Sequence, residues 1–132
     1  MKPRPMKAKK TAAPRASERQ IQKAIFDFLK LALPADAWVG AIPGGDGRAT
    51  RTPGYVAGTP DLMIVYCGKA RFMEVKTATG FCSHAQLDTF NSLRRADAFC
   101  TVARSIHDAE RLCINWNIPL RASVRASVKA RA

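Results

Sequence analysis

From Ser17 onward the chain repeats apolar residues at helical spacing. Ile21, Ala24, Ile25, Phe28, Leu29 and Ala32 fall on one stripe. Ser17 and Gln20 stand three residues apart at its head, the spacing of a capping box, in which each side chain satisfies the other's free N–H. Pro34, which cannot continue a helix, closes the segment. The stretch 38–42 then reads as a short strand. Two β-rich runs follow, 61–67 and 71–77, with Gly68, Lys69 and Ala70 between them as a tight hairpin. Ser83 opens a second helix with Gln86 at the capping-box position, and Leu87, Phe90, Leu93 and Arg94 continue it. The run 98–103 reads as a buried strand. Ser105 and Asp108 start a last helix through Asn115, with Ile106, Ala109, Leu112 and Cys113 apolar. The predicted order is α-β-β-β-α-β-α, with no internal repeat.

One segment resists this reading. Residues 43–58 hold Gly44, Gly45, Gly47, Gly54 and Gly58, with Arg48 and Arg51 among them. A long glycine-rich loop in a small domain tends to be functional. It is not a phosphate-binding P-loop, because no GxxxxGK is present.

Charge changes the picture at both ends. The 132 residues carry a net charge of +12. Residues 1–16 and 121–132 together hold ten of the 22 basic residues and none of the ten acids, which leaves 17–120 at +2. The sequence thus divides into a basic tail at 1–16, expected to be disordered without a partner, a nearly neutral domain at 17–120, and a basic C-terminal tail at 121–132. Cationic tails suit a polyanion, most simply nucleic acid, since each phosphate contact releases counterions. They also serve solubility alone. No apolar run approaches the roughly 18 residues that a bilayer span needs, and no apolar segment follows the basic N-terminus as in a secretory signal. A cytoplasmic protein is the expectation.

The four cysteines, Cys67, Cys82, Cys100 and Cys113, lie 13 to 18 residues apart with no CxxC. That spacing does not suit a zinc site. Cys67, Cys100 and Cys113 sit among apolar residues and read as small reduced core positions.

The chemistry concentrates around the hairpin. Alternation places Phe72, Glu74 and Lys76 on one face of the second strand. If Gly68 and Lys69 form a two-residue turn, Cys67 faces Ala70 and Asp61 lands opposite Lys76, with Glu74 its diagonal neighbour. Diagonal Cβ atoms lie about 7–8 Å apart, a gap that an ion between two carboxylates can bridge. Two acids and an ammonium among Met, Val, Ile and Phe need a reason, because burying unpaired charge is costly. One reason is an internal salt bridge from Lys76 to either acid. The other is a divalent metal held by carboxylates. Mg²⁺ and Mn²⁺ favour oxygen ligands and keep waters for chemistry. Such a metal lowers the pKa of its water and neutralises charge on a phosphate, and Lys76 would orient that water or stabilise the developing charge. Glu18 falls on the inward stripe of the first helix and Gln86 on the inward face of the second. Each also has a local role, Glu18 with the helix dipole and Gln86 in its capping box. His84, near the start of the second helix, reads as a surface histidine or a phosphate contact.

Gly58-Thr59-Pro60-Asp61 followed by Glu74-Val75-Lys76 resembles the PD-(D/E)XK nuclease superfamily. The resemblance is closer still to its VRR-NUC branch, the virus-type replication-repair nucleases. Members show a Glu in the first helix, a G-x-PD, an E-x-K and a Gln in the next helix, here Glu18, Gly58 with Pro60-Asp61, Glu74 with Lys76, and Gln86. It spans about residues 17–115. It implies an α/β fold, a restriction-endonuclease-like αβββαβ core with a central mixed sheet flanked by helices. It implies a Mg²⁺- or Mn²⁺-dependent nuclease in which Asp61 and Glu74 ligate the metal, helped by the Val75 carbonyl, while Glu18 supports that metal or a second ion. Lys76 would serve the attacking water, and Gln86 would position that water or Lys76. Arg48, Arg51 and His84 are the candidate contacts to nucleic acid. Relatives often carry an Asn just after the first strand, where this chain has Pro43-Gly44-Gly45, so a polar contact from that loop is not carried over. Stand-alone domains of this size resemble homodimeric endonucleases selective for branched DNA such as Holliday junctions. Two other readings share some of these features. A non-catalytic nucleic-acid-binding protein on an inactive nuclease fold would explain the tails but not the intact acids. A type II restriction enzyme would need more chain to read bases.

Overall fold

The structure, a computed structural model, describes residues 2–3, 14–43 and 52–125. Seven elements form in the predicted order: α1 (Glu18–Ala32), β1 (Trp38–Ala41), β2 (Leu62–Tyr66), β3 (Lys69–Val75), α2 (His84–Arg95), β4 (Phe99–Ala103) and α3 (Ile106–Asn115). Both capping boxes close. The Ser17 N–H donates to Gln20 Oε1 at 2.9 Å and the Gln20 N–H to Ser17 Oγ at 3.2 Å. Ser83 and Gln86 repeat the exchange at 2.8 and 3.2 Å.

The strands form one mixed sheet in the order β1-β2-β3-β4. The first three run antiparallel, and β4 lies parallel to β3 with α2 as the crossover. Leu62, Ile64, Met73, Val75 and Ala103 are fully buried beneath α1 and α3, which supply Ile25, Phe28, Leu29, Ala32, Ala109 and Cys113 to the same core. Strand alternation sends Cys100 to the opposite face, where α2 packs against β4 and buries Phe90. Among the described residues no helix is long and apolar enough to cross a membrane.

The hairpin differs from expectation by two residues. Tyr66 pairs with Lys69 and Leu62 with Met73, so the turn is Cys67-Gly68 and not Gly68-Lys69. Both turn residues have positive φ, 49° and 75°. That is the mark of a type I′ turn, whose twist matches the strands it joins. A shift of two keeps every side chain on its face and changes only its partner. Arg71, buried on the core face, clasps the turn by donating from Nη1 to the carbonyls of Tyr66 and Lys69 at 2.9 and 3.2 Å. Cys67 is therefore an exposed turn residue rather than a core one. Cys100 and Cys113 are buried, and burial pushes both thiols up to about 12, which keeps them unreactive. All four cysteines are free thiols.

The chain past 120 stays on the domain for several residues. The Arg121 N–H donates to Ala32 O and the Val124 N–H to Glu110 Oε2, both at 2.7 Å. The Val124 side chain is buried in the core. A lone valine between Arg121 and Arg125 carries no periodic signal, and charge is the only clear pattern in that stretch of sequence.

Candidate active site

The site is assembled at one end of the sheet, where β2 begins and β3 ends. Gly58 brings the Asp61 segment to it. Gly58 has φ +81°, and a Cβ built there would stand 2.3 Å from the Ala85 carbonyl oxygen and 2.5 Å from the Gln86 nitrogen. Only a residue without a side chain lets the loop lie this close to the first turn of α2. Thr89 reinforces the contact, its hydroxyl donating to Ala57 O at 2.7 Å. Pro60 is fully buried, and the Ile42 N–H donates to Asp61 O at 2.8 Å, extending the β1–β2 ladder by one bond.

Asp61 sits one residue before the Leu62–Met73 pair, so it falls opposite Glu74 rather than Lys76. Its Oδ2 accepts from the Val75 N–H at 2.7 Å, where the β2–β3 ladder ends. Glu74 is 2% exposed. Its Oε1 accepts from Gln86 Nε2 at 2.8 Å, and Lys76 Nζ lies 3.6 Å from the same oxygen. Its Oε2 is buried and has no hydrogen-bond partner. Lys76, itself buried, also lies 3.8 Å from Glu18 Oε1. Among the described residues it forms no ion pair with Asp61.

Burial, aided by the negative charge of Asp61, pushes the Glu74 carboxyl up to about 8, and Lys76 only partly offsets this. The folded protein therefore holds this proton up to about pH 8, whereas the unfolded chain loses it near the ordinary value of 4.5. Folding without a cation takes up a proton in that window, so stability falls as pH rises through it. Thermal melts in EDTA should show Glu74→Gln gaining stability relative to the parent progressively from pH 5 to pH 8. A difference in Tm that stays constant across this range would contradict the buried, proton-holding carboxyl.

The remaining sequence candidates divide. Gln86 fills both of its roles with one amide, the oxygen in the capping box and the nitrogen on Glu74. Glu18 reaches the cluster from the first turn of α1, although its side chain is half exposed rather than inward. Val75 contributes its main chain through the bond to Asp61. His84 is the exposed first residue of α2, with its side chain at the surface rather than in the acid cluster. Arg48 and Arg51 lie outside the described residues. The role of Gly58 in seating α2 went beyond what the motif letters convey; its only signal was a glycine three residues before the acid.

Among the described residues no group of three or more His, Cys, Asp or Glu side chains stands close enough to hold a metal. Mg²⁺, however, is commonly held through only one or two carboxylates with water completing the shell. Two facing carboxylates, one with an orphaned buried oxygen, fit a hard cation of that kind.

Solved structures share this arrangement of elements. One, described as a VRR_NUC domain protein, superimposes with a TM-score of 0.64 and 18% identity, covering 76% of this chain and 88% of that one. Another, a VRR_NUC domain, gives 0.55 and 23%, with 76% and 99% covered. No family model matches the chain, and no curated protein does. At these identities the likeness shows the fold, and the chain has the mixed α/β fold of VRR-NUC domains.

Proposed function

We propose that this chain, with its VRR-NUC fold, is a Mg²⁺- or Mn²⁺-dependent nuclease that hydrolyses DNA phosphodiester bonds. The observation that carries the reading is the buried Glu74, with an unpartnered oxygen, set opposite Asp61 and beside Lys76. As a purely structural ion pair this cluster is poorly made. Lys76 stands at 3.6 Å, one carboxylate oxygen is orphaned, and a second acid raises the cost of ionisation. Residues that conflict in this way without a cation are the expected signature of a functional site.

Asp61, Glu74 and the Val75 carbonyl would hold the cation, with Glu18 at the rim. When bound, the cation supplies Lewis acidity toward a phosphate oxygen and toward water. Lys76 orients the attacking water and offsets negative charge on the phosphate. Gln86 fixes the Glu74 carboxylate from α2 and so acts as a positioning residue. Glu18 holds the Lys76 ammonium toward the open side of the site.

In its finer form the proposed enzyme is a homodimer selective for branched DNA. Incubating labelled linear duplex, flap and four-way DNA with Mg²⁺, with Mn²⁺ and with EDTA tests the activity and its selectivity together. Cleavage in either metal and none in EDTA is expected, with the four-way and flap substrates cut faster than linear duplex. Binding without cleavage in any metal would replace this reading with a non-catalytic nucleic-acid-binding protein.

A further inference from the structure

A cleft of about 710 Å³ opens between α1 and the adjoining ends of β1 and β2. Asp61 is among the residues that line it. Arg19 and Lys23, one helical turn apart, line the α1 side, and Phe26, Ile42 and Pro43 supply its apolar surface. Arg19 is exposed. Lys23 is 77% exposed and paired with Asp27 four residues on, an exposed contact that a phosphate readily replaces. Phe26 is half-buried, so part of its ring rests on the core while the rest faces the cleft.

This combination has a specific chemistry. Two cations on one wall match the regular charges of a nucleic-acid backbone. An aromatic ring beside them matches the face of a base that is free to leave its stack. The cleft is a concave pocket of small-ligand size, enough for a base and its neighbouring phosphates. Asp61 belongs both to this lining and to the candidate cation site, so a strand lying in the cleft touches one of the two acids of that site.

We propose that this cleft binds an unpaired strand beside the cleaved phosphate, with Arg19 and Lys23 on the backbone and a base against Phe26. The inference rests on the nuclease reading for its orientation. It names the substrate feature that the site selects, an unpaired nucleotide next to the bond to be cut. None of these three residues carried a signal in the sequence. Arg19 and Lys23 look like ordinary helix-surface charges, and Phe26 lies off the main apolar stripe.

The test measures binding without cleavage, so that its failure is separable from failure of the nuclease reading. Fluorescence anisotropy in EDTA compares a labelled oligothymidine strand with a blunt duplex of the same length, at several salt concentrations. The Arg19→Ala/Lys23→Ala double variant should lose affinity for the single strand about tenfold. Its salt slope for the single strand should fall by about 1.4, since each of the two phosphates no longer neutralised accounts for about 0.7. Phe26→Leu, which keeps apolar volume, should weaken single-strand binding about tenfold and leave the salt slope unchanged, because stacking releases no counterions. Circular dichroism melts verify folding of each variant. An unchanged slope in the double variant, or equal losses on single strand and duplex, would overturn the proposal. Absence of cleavage with the binding pattern intact would remove the nuclease reading and leave the cleft assigned.

Discussion

Asp61→Asn is expected to lower metal-dependent cleavage about a thousandfold or more, equivalent to about 4 kcal/mol of barrier, while the melting temperature stays within a few degrees of the parent. Two functions of one side chain separate in this variant. The Asp61 carboxylate accepts the Val75 N–H at 2.7 Å, which is a structural task. An amide oxygen can do the same, so the end of the β2–β3 ladder keeps its bond. What the amide lacks is the negative charge that a hard cation requires. Steady-state cleavage and a thermal melt of the same preparation check both halves. Asp61→Ala removes the acceptor as well, and should add a stability loss of about 1 kcal/mol for the unpaired N–H. An Asp61→Asn protein that cuts at the parental rate would remove Asp61 from the cation site and with it the proposed chemistry. An Asp61→Asn protein that is inactive and also melts far below the parent would contradict the separation of the two tasks.

Gly58→Ala should be the most destabilising single-methyl change in the described chain, at about 3 kcal/mol or more. A left-handed backbone conformation alone costs a non-glycine residue roughly 1–2 kcal/mol. The added methyl would also stand 2.3 Å from the Ala85 carbonyl oxygen, and this neighbour is helix backbone, which cannot rotate away. Gly68→Ala is the internal control. Gly68 has nearly the same φ, +75°, but nothing lies within 4 Å of its missing Cβ. It should lose only the conformational part, about 1–2 kcal/mol. Chemical denaturation of the two variants side by side measures the difference directly. Equal losses would mean that the approach of the loop to α2 is not tight. The functional consequence follows from position. Pushing the 57–60 loop off α2 separates Asp61 from the helix that carries Gln86, so activity should fall further in Gly58→Ala than stability alone accounts for.

Both predictions depend on contacts of different sequence reach. The helix starts were legible because capping is local. Ser17 with Gln20 and Ser83 with Gln86 are three residues apart, and the side chains that close each box are adjacent in any helix that forms there. Strand faces were legible because alternation is a property of the backbone itself. That placed Glu74 and Lys76 on one face of their strand, and a tight turn of even offset then set Asp61 on the same face. The order of elements follows from the same two periodicities, whereas the mixed sheet was implied by the resemblance that the motif letters carry.

What the pattern left open was every offset and every contact between elements. A two-residue change of register leaves alternation intact, so nothing in the hydrophobic pattern distinguished a Gly68-Lys69 turn from the Cys67-Gly68 turn that forms. Turn geometry decided it, through the positive φ that both Cys67 and Gly68 adopt. The consequence is chemical, since it sets Asp61 against Glu74 rather than against Lys76. Lys76 meets Glu18 across 58 positions, and Val124 reaches the core only because the chain returns past Ala32 and Glu110. The types of the site residues and the faces they occupy were thus determined by the sequence through short-range geometry. Their partners, and the orphaned buried oxygen of Glu74, were decided by tertiary packing, because close contact between distant segments depends on the whole core at once.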